Sequence, residues 1–100
     1  MRNYYHQCQN NCLRKYRKTR GLKQKDVAEI LGLKSTGMIS RWEKGVCLPD
    51  TLNLLKLSVL YRTLVDALLI ELVRILREEL LSKEEEVLKT RTHVNEWTKD

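Results

Sequence analysis

The chain has 100 residues, with 4 glycines, a single proline and no strand-like alternation, so it reads as one nearly all-helical domain with an appended helical tail. It holds no apolar run of about eighteen residues, which excludes a membrane-spanning helix. The start, Met1-Arg2-Asn3-Tyr4-Tyr5-His6, lacks an apolar signal segment, so the chain is expected in the cytoplasm. The net charge of +6 is uneven: residues 1–62 hold 13 Lys/Arg against 4 Asp/Glu, and residues 63–100 hold 6 against 9. A basic first part is the electrostatic footprint of a nucleic-acid-facing surface.

Residues 1–10 read as an N-terminal arm or an early helix. Either Arg2 reaches a DNA minor groove, or Tyr4 and Tyr5 pack against the domain or a partner. Cys8, Cys12 and Cys47 are an odd count, against a disulfide framework. With His6 they match no standard zinc spacing, so no metal is expected. A first helix runs to about Thr19, capped by Asn10 or Asn11, with Leu13 and Tyr16 inward and Arg14, Lys15 and Lys18 solvated. Gly21 ends it, and Leu22 tucks under the next element.

Gln24 to Leu31 reads as a second helix. Val27, Ala28 and Leu31 share its inner face, because residues three and four apart stack on a helix. Gln24 lies in its first turn, where free backbone N–H groups and the positive dipole end can meet a phosphate. Lys23 and Lys25 stand beside it. Gly32 can take the left-handed conformation that closes a helix.

A third helix spans Thr36 to Lys44 behind Ser35, a plausible N-cap. Ile39 and Trp42 point inward, which leaves Thr36, Gly37, Ser40, Arg41 and Lys44 outward. Arg41 is the best candidate for reading bases, since arginine binds guanine O6 and N7 bidentately. Thr36 suits a base edge or a thymine methyl, and Met38 is either core or base-contacting. Ser40, Lys44 and Lys34 suit phosphates, which position a protein without choosing sequence. Gly37 offers no side chain. Either the backbone approaches DNA closely there, or specificity leans on DNA shape. Two short helices about a tight turn make a helix-turn-helix unit, whose second helix can lie in the major groove.

Gly45 to Asp50 is a loop, in which Pro49 blocks helical geometry at Leu48 and Asp50 can cap a fourth helix. That helix carries Leu52, Leu55, Leu57 and Val59 to about Tyr61, and its leucines are expected to close the core. From Leu64 to about Leu81 apolar residues cover half a helical wheel, more than one small domain needs. Leu68, Leu72, Val73, Leu76 and Leu80 are therefore expected to meet a second copy. A membrane-surface helix or burial within the tail are the rivals. Ser82-Lys83-Glu84-Glu85 reads as a capping box that opens a short final helix through Val87 and Leu88. Val94 and Trp97 are candidates to anchor onto the partner.

The ordered set Leu13, Arg17, Gln24, Ala28, Gly32, Ile39-Ser40-Arg41-Trp42-Glu43-Lys44-Gly45 and Pro49-Asp50 resembles the helix-turn-helix domain of Cro and cI-type repressors (lambda-repressor-like, Xre family). The resemblance covers about residues 11–69. It implies an all-α domain of about five helices, here with the fifth extended and a short helical tail. It implies that Arg17 pairs with Glu43, that Gln24 touches a phosphate, and that the first residues of the third helix, Thr36, Gly37 and Met38, read bases. The link from Gly32 to Ile39 is one residue longer than the commonest family pattern, which bears on carry-over at the helix tip.

The reading that follows is a sequence-specific duplex-DNA-binding transcription regulator, a dimeric repressor on a palindromic operator. It has residues 11–69 as DNA-binding domain and 64–100 as dimerisation helix and tail. The alternatives are an antitoxin whose C-terminal half binds a toxin, or a protein-interaction module without base reading. No paired carboxylates, phosphate loop or nucleophile–histidine arrangement stands out, so no enzymatic activity and no cofactor are expected.

Overall fold

The computed structural model describes residues 11–92, with the side chain of Thr92 left aside. Arg2, Tyr4, Tyr5, His6, Cys8 and Asn10, and Val94 and Trp97 of the expected tail anchor, lie outside the described residues. Among the described residues six helices follow one another: α1 (Leu13–Thr19), α2 (Gln24–Leu31), α3 (Gly37–Lys44), α4 (Thr51–Tyr61), α5 (Val65–Leu68) and α6 (Ile70–Thr92). No strand occurs among the described residues, and no helix among them is long and apolar enough to cross a membrane.

Local chemistry sets each helix end. Asn11 Oδ1 accepts from the Leu13 N–H, and Asn11 Nδ2 donates to the Trp42 carbonyl, so one side chain caps α1 and ties it to α3. The Lys23 N–H donates to Asp26 Oδ2 at the start of α2. Asp50 Oδ1 accepts from the Asn53 N–H at the start of α4. Gly32 and Gly45 close α2 and α3 in the left-handed region, and the residue after each donates back into the helix, Leu33 to Ala28 and Val46 to Arg41. Arg62 makes the same left-handed closure of α4 at φ 54°, where Thr63 N–H reaches the Ser58 carbonyl and Ser58 Oγ donates to the Thr63 carbonyl.

Leu13, Val27, Ala28, Leu31, Ile39 and Trp42 are buried together with Leu57, Tyr61, Leu68, Leu69 and Leu72. Every helix thus contributes to the core, from one to three side chains each. The long Gly32–Ile39 link is taken up by bends at 34–36, so α3 begins at Gly37 with Thr36 as its N-cap, one residue later than the spacing suggests. Ile39 stays fully inside, and Leu33 of the link is partly buried against the core.

Four expectations need correcting. Leu52 and Leu55 are not core: they are 61% and 52% exposed. The register of α4 turns Leu54, Leu57 and Tyr61 inward, and residues 52, 55 and 59 fall on the opposite side. Leu68 and Leu72 are not free for a partner, because the chain breaks at Leu69 (φ −121°, ψ 44°) and folds both into the core. The Cys12 N–H to Leu68 carbonyl bond, 2.9 Å, locks this return to the start of α1. The apolar run from Leu64 is therefore two helices. Ser82 opens no new helix, since α6 runs through it to Thr92. The stretch 70–92 has no glycine or proline and is rich in Leu, Glu, Lys and Arg, so one serine costs only a few tenths of a kcal/mol.

The left-handed Arg62 costs about 1 kcal/mol that glycine would not. Arg62→Gly is expected to raise stability by about 0.5–1 kcal/mol, read as a rise of a few degrees in thermal midpoint. An unchanged or lower midpoint contradicts the assignment.

Candidate nucleic-acid interface

Glu43, near the end of α3, is the hub of the site. Its Oε2 accepts from Arg17 Nε at 2.6 Å and its Oε1 from Arg17 Nη2 at 3.1 Å, a two-pronged pair across α1 and α3. Oε1 also accepts from Gln24 Nε2 of α2 at 3.0 Å. The remaining Arg17 prong, Nη1, donates to the Leu22 carbonyl at 2.8 Å. Three helices are thereby fastened at one carboxylate, and the α1–α2 turn at its arginine partner.

The pair is almost dry, with side chains 9% and 5% exposed. The hydrogen bonds to Glu43 raise the Arg17 pKa against the burial that lowers it, with the Glu43 charge adding to the rise. Tyr61 of α4 is close enough to feel both charges. Burial is the main cause that pushes its hydroxyl above the ordinary tyrosine range, helped by Glu43 and opposed by Arg17. The phenol therefore stays neutral in the fold.

Above this hub lies a polar recess of about 320 Å³, lined by Arg14, Arg17, Gln24, Ser40, Glu43 and Lys44. Arg17 and Glu43 neutralise each other at its base, and Arg14 and Lys44 are exposed cations at its sides. Such a hollow attracts an anion. Gln24, Ser40 and Lys44 are brought together here. Arg14 joins them, although its sequence position marks it only as solvated. The available signal is that Arg14 lies three residues before Arg17, on the same side of α1.

The other candidates spread along the outside of α3 and its approach. Gly37, Arg41 and Lys44 are exposed and spaced four and three apart on one face, with the half-buried Thr36 at its start. Met38 is exposed too, which places it outside the core. Lys34 is exposed in the turn, and Lys23 and Lys25 are exposed at the start of α2. Gln24 is not an idle cap, since its amide nitrogen is held by Glu43. A Cβ at Gly37 would meet only Ser35 Oγ, at 3.5 Å, and the Gly37 N–H donates to that same oxygen at 3.3 Å. The fold itself therefore leaves room for a larger residue at 37.

Cys12 and Cys47 are free thiols, each half-buried. Among the described residues no three His, Cys, Asp or Glu side chains gather at a metal-binding distance.

The family model of the helix-turn-helix matches residues 13–68, from the first residue of α1 to the last of α5. No curated protein and no solved structure gives a match. The chain belongs to the Cro/CI-type helix-turn-helix family, a DNA-binding and non-catalytic one.

Removing one partner of a buried ion pair leaves a stranded charge, whereas replacing both with apolar groups of similar size is often tolerated. Arg17→Ala is expected to destabilise the domain by about 3–5 kcal/mol in urea unfolding, and Arg17→Met with Glu43→Leu by much less. Equal losses in the single and double variants would show that the charge pairing is not what the fold senses.

Proposed function

We propose that this chain is a sequence-specific transcription regulator, a dimeric repressor that lays α3 in the major groove of a roughly palindromic operator. The observation that carries this reading is the division of α3. Ile39, Trp42 and Glu43 fix it to the domain, and Thr36, Gly37, Met38 and Arg41 face out from the basic half of the chain. Arg41 then reads a guanine edge, and Thr36 and Met38 suit bases at the helix start. Gly37 lets the backbone come close, which accounts for a glycine where the fold has room for more. Gln24, Ser40 and Lys44 line the recess that would take a backbone phosphate, flanked by Lys23, Lys25 and Lys34. Two domains would read half-sites about one helical turn apart, and occupancy of promoter DNA in the cytoplasm would repress.

In this reading residues 11–69 form the DNA-binding domain and the C-terminal helix joins two copies. The second reading is a protein-binding role for that helix, as in an antitoxin. It is favoured by one feature: from Leu80 onward α6 is exposed, with Leu80, Leu81, Val87 and Leu88 in the open.

Selection of bound duplexes from a random library at near-physiological salt tests the leading reading. The wild type is expected to enrich an inverted repeat, and Arg41→Ala to lose or relax one position in each half, at a cost of about 1–3 kcal/mol per base pair. Weak binding, equal on all duplexes and in both proteins, would overturn base reading by α3.

A further inference from the structure

The α2–α4 side of the domain, away from the Arg17–Glu43 recess, carries an apolar groove of about 450 Å³ lined by Ile30, Leu31, Leu55, Lys56, Val59 and Leu60. Its walls are unusually bare. Ile30, Leu55 and Val59 are 55%, 52% and 78% exposed. Leu52 prolongs the row along α4, since 52, 55 and 59 follow the three–four spacing of one helical face. The core does not use this row, and neither does the proposed DNA surface. Contiguous exposed apolar surface of this kind marks a protein contact.

A second bare surface is left uncovered among the described residues. The molecule measures 57 × 24 × 23 Å, because α6, 23 residues and about 34 Å long, projects from the domain. Residues 80–91 are all exposed. Leu80 and Val87, and Leu81 and Leu88, lie seven apart, two turns of one stripe, with Glu84 midway between them on the same side. Residues 80–91 draw no burial from the described domain, and helices in proteins are stabilised mostly by packing an apolar face, so the stripe calls for a partner. Parallel pairing of two α6 helices would set Glu84 against Glu84 at the seam. The groove instead offers leucines, an isoleucine and a valine, with Lys56 as the one cation in its lining.

We propose that the distal half of α6 of one copy docks into the α2–α4 groove of a second copy, reciprocally, with Leu80, Leu81, Val87 and Leu88 in the groove and Glu84 facing Lys56. This rests on the dimeric part of the proposed function and states how the dimer is built. The mode is an amphipathic helix in a groove, read through anchors on successive turns. Two-fold symmetry repeats the contact, so two modest helix–groove contacts together form one closed interface. The DNA-facing side of α3 stays free in both copies.

The test uses the full chain and sedimentation equilibrium. Val59→Glu disables the groove and Leu88→Glu disables the stripe. Both sites are at least half-exposed or nearly so, and unchanged far-ultraviolet circular dichroism of the domain checks folding. The wild type is expected to dimerise, each variant alone to dimerise at least about tenfold more weakly, and an equimolar mixture to associate, because it retains one intact groove and one intact stripe. Lys56→Glu and Glu84→Lys are each expected to weaken the dimer and to restore it when combined in one chain. A dimer that Val59→Glu leaves intact, a mixture that does not associate, or charge exchange without rescue overturns the docking while leaving a dimeric regulator standing. A wild type that is monomeric at every concentration overturns both.

Discussion

Arg17 and Glu43 meet where α1, α2, α3 and α4 converge, and the position of α3 depends on that meeting. The carboxylate takes two bonds from the guanidinium and one from Gln24, and the guanidinium takes a fourth bond to the Leu22 carbonyl. Both charges have given up most of their water. Desolvation offsets much of the attraction, so what the pair contributes is geometry more than net stability. A flat two-pronged pair admits few arrangements. It sets the rotation of α3 about its own axis, and hence which residues look inward with Trp42 and which look outward with Arg41.

The same pair shapes the surface above it. Neutralised at the base and flanked by Arg14 and Lys44, the recess has the charge balance to suit the anion that the proposed function places there. In the proposed function, positioning and reading are divided between neighbouring residues of one helix. Ser40 and Lys44 belong with Gln24 in the recess, and Gly37 and Arg41 face out. A shift of α3 would upset both, which is why a buried, directional tether is useful in so small a domain, where burial alone stabilises modestly.

Much of this was legible in the residues because the helices are punctuated. Gly32, Gly45, Pro49 and Asp50 mark ends and starts, and the three–four spacing of Val27, Ala28, Leu31, Ile39 and Trp42 marks the inner faces. The inner face of α4 was not legible, for Leu52, Leu54, Leu55, Leu57, Val59 and Leu60 surround that helix with apolar side chains. Periodicity cannot choose a face when every face is apolar. The break at Leu69 carries no glycine or proline. Its cause is tertiary, the return of Leu68 and Leu72 to the core under the Cys12–Leu68 backbone bond. Ser82 was misleading in the opposite sense. A capping box needs the preceding turn to unwind, and the surrounding leucine, lysine and glutamate hold it helical, with a Glu85–Lys89 pair four residues apart beyond it. The roles of Thr36, Gly37, Met38 and Arg41 toward DNA remain readings of a surface. The fold presents that surface, and chemistry gives it a use.

The most direct measurement is amide chemical-shift mapping of the full chain during titration with a selected duplex. The largest shifts are expected on residues 23–25 and 34–44, with the Arg41 side chain among them, and the outer part of α6 is expected to be unmoved by DNA. Shifts confined to α6, or none at any ratio of duplex to protein, would contradict the claim that α3 is the part of this molecule that meets DNA.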